Sequence, residues 1–145
     1  MFVTKILASK ATQGVLTISP GASIADAVAE LASRKIGALV VSETGSRADG
    51  ILSERDIVRE LGKDGAAVLD RLVSDVMTRK VQVCTPSDRS EDVLQRMTEG
   101  RFRHMPVEED GALIGVISLG DVVKARLSEV SMEKDALEAM VAGHT

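Results

Sequence analysis

The sequence of 145 residues is almost devoid of aromatic side chains. It contains no Trp and no Tyr, and its two Phe residues are Phe2 and Phe102. Proteins that hold bases by stacking them need a platform of aromatic rings, so recognition of that kind is nearly excluded. A planar ligand would have to be held by aliphatic side chains and by backbone groups.

Cysteine and histidine are also scarce. Cys84 is the only cysteine, so no intramolecular disulfide can form, which fits a reducing compartment. The sequence has only two His residues, and it shows no Cys/His cluster of the kind that holds zinc. It also lacks a plausible Ser-His-Asp arrangement and a glycine-rich phosphate loop. We therefore expect no catalytic activity, no metal and no required cofactor.

Neither an excess of positive charge nor a long apolar run is present. The net charge is −4, which disfavours a nucleic-acid partner. No apolar run approaches the roughly 20 residues that span a bilayer, and the first residues are too mixed for a signal peptide. The sequence thus predicts a cytoplasmic protein without a membrane partner, and its 44% of hydrophobic residues are sufficient for a core.

The most informative feature that is present is a repeat. Residues 50–58 read Gly-Ile-Leu-Ser-Glu-Arg-Asp-Ile-Val, and residues 115–123 read Gly-Val-Ile-Ser-Leu-Gly-Asp-Val-Val. The shared pattern is Gly, two aliphatics, Ser, two variable residues, Asp and two aliphatics. It indicates two similar structural units, each with a hydroxyl and a carboxylate at the start of a helix.

The repetition extends over most of the chain. Each half shows a short extended segment ended by proline, a segment with helical spacing, and two further β-rich segments before the final helix. The sequence therefore predicts an α+β fold of tandem β-α-β-β-α units. The paired segments are 15–20 with 81–86, 23–34 with 89–100, 36–41 with 102–107, and 50–53 with 113–118.

Similar segments precede the two units, because residues 3–7 resemble residues 73–78. We refer to these two segments as the lead-ins, and we expect each to lead into the unit that follows it. The predicted boundaries are 1–64 for the first unit with its lead-in, 65–127 for the second unit with its lead-in, and 128–145 for a C-terminal helical extension.

The final helix carries an apolar stripe at spacings of 3, 4 and 7 that begins in the second unit and runs into the extension. Lys134 interrupts this stripe. The stripe has two interpretations: a helix that covers the flank of the fold, or a narrow seam that contacts a second copy in a homodimer. Its apolar members are Val123, Leu127, Val130, Leu137 and Val141.

Two units ending in this motif resemble a pair of CBS domains, also called a Bateman module. Residues 73–78 before the second unit and the Arg-His-Met-Pro-Val stretch at 103–107 add to the resemblance, which covers about residues 3–127. It implies a stand-alone small CBS-domain protein, in which two repeats pack sheet to sheet with pseudo-twofold symmetry. It also implies two clefts between the repeats, where members of this family commonly bind adenine nucleotides.

In the first cleft, which we call site A, the resemblance implies that Asp56 holds the ribose hydroxyls. Ser53 would lie near the phosphates, and Arg55 would belong to the same site. The second repeat would supply two basic residues for phosphate and a strand for the base: Arg103 and His104, and Cys84 and Thr85.

In the second cleft, which we call site B, the resemblance assigns the corresponding roles to Ser118 and Asp121. The first repeat would contribute its middle strand and its first strand, represented by Gly37, Ala38, Thr17 and Ile18. Small residues stand here where site A has its Arg-His pair. We therefore expect site B to bind more weakly, to prefer a less charged ligand, or to hold the nucleoside end of a dinucleotide.

Three of these assignments have plainer alternatives. Ser-x-x-Asp is also a common helix cap. Arg103 and His104 are adjacent on a strand, so their side chains would normally point to opposite faces, and both could belong to a solvated face. Arg55 could form a surface ion pair. With these alternatives open, Asp56 with Arg103 is the expected primary site.

The resemblance implies a non-catalytic regulatory module that senses energy or redox state. The expected ligand is AMP in the first place, with ADP, ATP or NAD(H) as further candidates. The expected partners are a second copy of the chain and an unidentified effector protein. The alternative function is a structural or oligomerisation module whose clefts have lost their ligands.

Overall fold

A computed structural model describes residues 1–10 and 14–143. Its elements alternate as the repeat predicts, with a 3-10 helix at Gly65–Asp70 between the two halves. The first half contains α1 (Val3–Ser9), β1 (Thr17–Ile18), α2 (Ile24–Arg34), β2 (Ala38–Val41), β3 (Gly50–Ser53) and α3 (Glu54–Asp64). The second contains α4 (Val73–Val76), α5 (Ser90–Gly100), β4 (His104–Glu109), β5 (Ala112–Ser118) and α6 (Leu119–Gly143).

The first half folds around a three-stranded sheet in the order β1-β2-β3. Strand β1 runs parallel to β2, and β3 runs antiparallel to it. Helix α2 begins where the sequence predicts, because the Ser23 hydroxyl accepts a hydrogen bond from the Asp26 backbone N–H at 3.1 Å. The buried side of this helix, including Ile24 and Leu31, packs in the core of the half.

The second half has a two-stranded antiparallel sheet of β4 and β5. The strand predicted at 81–86 is reduced to a single parallel bridge between Cys84 and Val107. It stops there because the Thr85 N–H donates to the Asp88 carboxylate at 2.8 Å, and Pro86 has no N–H to offer.

Equivalent positions in the two halves make equivalent contacts. Ala38 pairs with Ser53 across β2 and β3, and His104 pairs with Ser118 across β4 and β5. The Glu54 N–H donates to the Gly37 carbonyl at 2.9 Å, and the Leu119 N–H donates to the Arg103 carbonyl at 2.7 Å. The predicted α+β fold of two repeated units is confirmed.

The lead-ins cross over in space. Val3 and Ile6 of α1 are buried in the core of the second half, and Val73 and Val76 of α4 are buried in the core of the first. The sequence predicts that each lead-in joins the unit that follows it along the chain, whereas in the structure each lead-in completes the core of the other unit. The halves are therefore interlocked. The boundaries at 64 and 127 stay predictions that divide the sequence, and they do not separate the two hydrophobic cores.

This crossing accounts for the glycine that opens each repeated motif. A Cβ on Gly50 would lie 2.7 Å from the Met77 sulfur and 2.9 Å from the Thr78 carbonyl oxygen. A Cβ on Gly115 would lie 2.6 Å from a methyl carbon of Leu7. Each glycine thus marks the place where a lead-in passes close to the strand.

Helix α6 continues to Gly143 and includes most of the segment predicted as a C-terminal extension. Val122 and Ala125 near its start are buried, whereas residues 130–143 are exposed. His144 and Thr145, at the end of the predicted extension, lie outside the described residues. Within 1–10 and 14–143, no helix is long and apolar enough to cross a membrane.

Candidate functional site

In the first half the repeated motif forms a closed cap. Asp56 Oδ2 accepts hydrogen bonds from the Ser53 N–H and from the Ser53 hydroxyl, both at 3.0 Å. Its Oδ1 accepts one from the Arg59 guanidinium at 3.1 Å. Only 10% of the Asp56 side chain is exposed. Both carboxylate oxygens thus already have partners on the same helix or at its cap.

In the second half the same motif is more open. Asp121 Oδ2 accepts from the Ser118 N–H at 2.9 Å and forms an ion pair with Lys10 Nζ, also at 2.9 Å. The Asp121 side chain is 26% exposed. Burial acts to raise the pKa of this carboxyl, but the Ser118 N–H and the Lys10 ammonium outweigh it and hold the pKa below its usual value. Asp121 is therefore ionised at neutral pH.

Asp121 lines a cleft of about 1600 Å³ between the two halves. This volume exceeds the ~300–1,000 Å³ typical of small-molecule sites. The cleft brings together five of the residues predicted from the sequence: Gly37, Ala38, His104, Ser118 and Asp121. We refer to this space as the Asp121 cleft. It corresponds to site B, with His104 added from the set predicted for site A.

The lining of the Asp121 cleft is rich in cations, contrary to the expectation that site B would suit a less charged ligand. The expectation was based on the small residues Gly37 and Ala38 of the middle strand, whereas the cations come from other segments. Around the one carboxylate of Asp121 they can provide a positive field for an anionic ligand. They are Lys5, Lys10, Arg34, Lys35 and Lys124.

His104 lies beside the first half at the base of this cleft. A Cβ on Gly37 would be 3.4 Å from its imidazole ring. Burial is the main cause that lowers the pKa of His104, and the Glu54 and Asp121 carboxylates only partly offset it. The imidazole is therefore mainly neutral at pH 7. It can donate or accept a hydrogen bond there, but it does not act as the fixed cation expected for phosphate.

The hollow beside the first motif is smaller, at about 420 Å³. It is lined by Glu54, Arg55, Val58 and Arg59, which all belong to α3, so no residue of the second half contributes to it. Arg103 is exposed and lies directly before β4, which begins at His104. The expected combination of the first motif with Arg103 and His104 is therefore not assembled around this hollow.

The strands predicted to contact the base are largely committed to the fold. Ile18 and Cys84 are buried in the two hydrophobic cores. Thr17 pairs with Val40, and the exposed Thr85 lies in a turn closed by Asp88. Burial, aided by Asp88, raises the pKa of the Cys84 thiol to about 12, so it stays protonated at neutral pH.

Of the cleft residues that sequence reasoning missed, Lys10 is the one that pairs with Asp121. It follows α1, which belongs to the crossed lead-in, and its ammonium reaches Asp121 in the second half. A similarity between the lead-ins was visible, and it aligns Lys10 with Lys80. It could not reveal the contact, because the contact depends on the crossing. Among the described residues, no group of three or more His, Cys, Asp or Glu side chains forms a metal site.

Comparison with known proteins places this geometry in a family. The model of the CBS domain matches residues 6–63 and 73–128. A crystal structure of a CBS-domain containing protein from Agrobacterium tumefaciens is 44% identical, with a TM-score of 0.83, and the match covers 87% of this chain and 99% of that one. The CBS domain pair of protein MJ0100, solved with 5'-methylthioadenosine and S-adenosyl-L-methionine, matches with a TM-score of 0.77 over 89% of this chain and 98% of that one. Its 20% identity shows a shared fold alone.

Among curated proteins, the mitochondrial CBS domain-containing protein CBSX3 of Arabidopsis thaliana is 36% identical over 83% of this chain. This chain spans 61% of the length of that relative and 24% of the length of CBSCBSPB2, a second relative from the same plant. Both halves match the same family model, in the order that the repeat indicates. The chain therefore belongs to the CBS domain family, as a pair of CBS domains.

Proposed function

We propose that this CBS pair is a non-catalytic regulatory module that binds an adenine nucleotide in the Asp121 cleft. The observation that carries the proposal is an ionised, partly exposed carboxylate at the start of a helix, set in a cation-lined cleft. A carboxylate can accept hydrogen bonds from both hydroxyls of a ribose. The ammonium and guanidinium groups around it suit phosphate.

The adenine would be held without aromatic stacking. Leu16 and Ile36 line the cleft and offer aliphatic surface to a planar ring. AMP remains the first expectation, and the volume of the cleft also accommodates ADP, ATP or NAD(H). The adenosine ligands of the MJ0100 structure support an adenosine moiety as the common part, since that protein shares the fold.

Calorimetric titration with AMP, ADP, ATP, NAD and NADH tests this function. We expect at least one of them to bind with a dissociation constant well below ~1 mM, which corresponds to about −4 kcal/mol. Inosine monophosphate is the matched control, because it keeps the ribose and the phosphate and changes the base. If none of the adenine ligands binds below ~1 mM, the sensor function is wrong.

A second function, oligomerisation, is favoured by the exposed seam of α6. The apolar side chains of this seam, Val123, Leu127, Val130, Leu137 and Val141, are all at least 39% exposed. We propose that α6 pairs with α6 of a second copy. A parallel pair in register would set two Lys134 ammonium groups against each other. In an antiparallel pair, Leu127 can lie against Leu137 of the partner subunit. In that register Lys134 lies against Val130 of the partner subunit, so the two ammonium groups do not repel each other.

Charging the seam is expected to dissociate this dimer. Leu137→Glu places a carboxylate in the seam, where burial would leave it unpaired, so we expect a monomer. Met132→Glu is the matched control, because Met132 is similarly exposed, at 59% against 63%, but lies off the seam and lines the Asp121 cleft. Sedimentation equilibrium measures the mass of each variant. A wild-type monomer, or dissociation by Met132→Glu alone, would show that the seam is not the interface.

As a regulatory module the protein needs a reader of its bound state. A ligand shifts a conformational equilibrium only if it binds two states with different affinity. The angle between the halves is a suitable variable, since the Asp121 cleft lies between them. We propose an effector protein that reads this change, and a cytoplasmic location.

A further inference from the structure

We propose that Lys10 is a built-in competitor for Asp121, and that it makes the cleft select phosphorylated adenosine ligands over adenosine itself. This inference rests on the proposed function and deepens it. It concerns which adenine ligands the cleft accepts and which group pairs with the Asp121 carboxylate when no ligand is bound.

The ammonium of Lys10 occupies the group that a ribose would need. Its Nζ lies 2.9 Å from Asp121 Oδ2 and 2.6 Å from the Val116 carbonyl oxygen. The same Oδ2 accepts from the Ser118 N–H, so this oxygen is already shared by two donors. A ribose diol that binds both carboxylate oxygens of Asp121 must therefore displace Lys10 from Oδ2 or share that oxygen with it.

The two motifs differ in where the competing cation comes from. At Asp56 the cation is Arg59, three residues along the same helix. The corresponding position in the second half is Lys124, which also lines the cleft, yet the partner of Asp121 is Lys10. Lys10 reaches Asp121 from the end of the crossed lead-in helix, so its ammonium can move without disturbing α6 itself.

The cost of displacing Lys10 depends on the ligand. Adenosine offers hydroxyls for Asp121 but no anionic group for the released ammonium. A nucleotide brings phosphate oxygens into the same cleft, and these can accept the ammonium in place of the carboxylate. Lys10 thus opposes the binding of an uncharged nucleoside and favours the binding of a phosphorylated one.

The test compares adenosine and ATP in calorimetric titrations of the full chain. Lys10→Gln is expected to tighten adenosine binding and to weaken ATP binding, so that the ratio of the two affinities falls about tenfold or more. Lys5→Gln is the matched control, because Lys5 lines the same cleft and carries the same charge but lies on α1 away from the ion pair. We expect Lys5→Gln to weaken the binding of ATP slightly and to leave the affinity for adenosine unchanged.

Lys10→Met keeps the aliphatic stem and serves as a second variant if Lys10→Gln is poorly folded in a thermal unfolding control. If loss of Lys10 changes the affinities for adenosine and for ATP in the same direction, the inference is overturned, while the proposed function stays intact. The absence of binding by any adenine compound to the wild type would overturn the proposed function, and the inference with it.

Discussion

Replacement of Asp121 by alanine is expected to weaken adenine-nucleotide binding by about tenfold to a hundredfold. A hydrogen bond to a charged group contributes roughly 1.5–3 kcal/mol, and about 1.4 kcal/mol corresponds to a factor of ten. The variant removes the only carboxylate that we propose for the ribose hydroxyls in the cleft. Calorimetric titration with the tightest-binding nucleotide measures the change, and thermal unfolding checks that the variant is folded.

Asp56→Ala is the matched control for this experiment, because Asp56 holds the same place in the first motif. It is expected to lower the free energy of unfolding by about 0.5–2 kcal/mol through loss of the helix cap, with ligand affinity nearly unchanged. Loss of binding in Asp56→Ala, with normal binding in Asp121→Ala, would instead make the first motif the ligand site, as the sequence alone suggested.

Gly50→Ala is expected to destabilise the protein by about 1–3 kcal/mol, the usual cost of overpacking a filled site. The added methyl group would meet the Thr78 carbonyl oxygen at 2.9 Å, and this backbone atom is held by a hydrogen bond from the Ile51 N–H. Met77 can move its flexible side chain, but Thr78 cannot move without opening the contact between the crossed lead-in and β3. Chemical denaturation measures the free energy of unfolding.

Gly115→Ala provides the comparison within the same motif. The three heavy atoms nearest to its Cβ all belong to the side chain of Leu7, which can change rotamer. Replacing Gly by Ala also restricts the unfolded chain, which stabilises by roughly 0.4–1 kcal/mol where the backbone permits it. The net effect at Gly115 is therefore expected to be small. Equal destabilisation at both positions would show that the backbone of Thr78 is not the limiting contact.

Much of the fold follows from local patterns. The spacing of apolar residues and the cap at Ser23 predict α2, and the repeated motif predicts the starts of α3 and α6. The predicted strand at 81–86 is longer than the observed one. Its apolar pattern does not reveal the turn that the Asp88 side chain and Pro86 form at its end. Local sequence describes such elements well because their hydrogen bonds join near neighbours.

The candidate site was predictable in its residue types and less so in its assembly. Gly37, Ala38, Ser118 and Asp121, which the resemblance groups in site B, all line the Asp121 cleft, and their role in binding stays a prediction. His104 joins this set rather than the one around Asp56, since its side chain lies between the halves where Gly37 leaves room. The cations of the cleft were missed because they lie on or directly after α1 and α2 and on α6, and no local pattern links these segments.

The sequence by itself determined that the chain contains two related units, each with a carboxylate at the start of a helix, because a repeat is visible wherever it occurs along the chain. Only the tertiary structure decided how the two carboxylates differ. Asp56 is closed by Arg59 from its own helix, whereas Asp121 opens into a cleft and is paired with Lys10. The physical reason is the crossing of the lead-ins, which carries Lys10 across 111 positions of sequence to its partner.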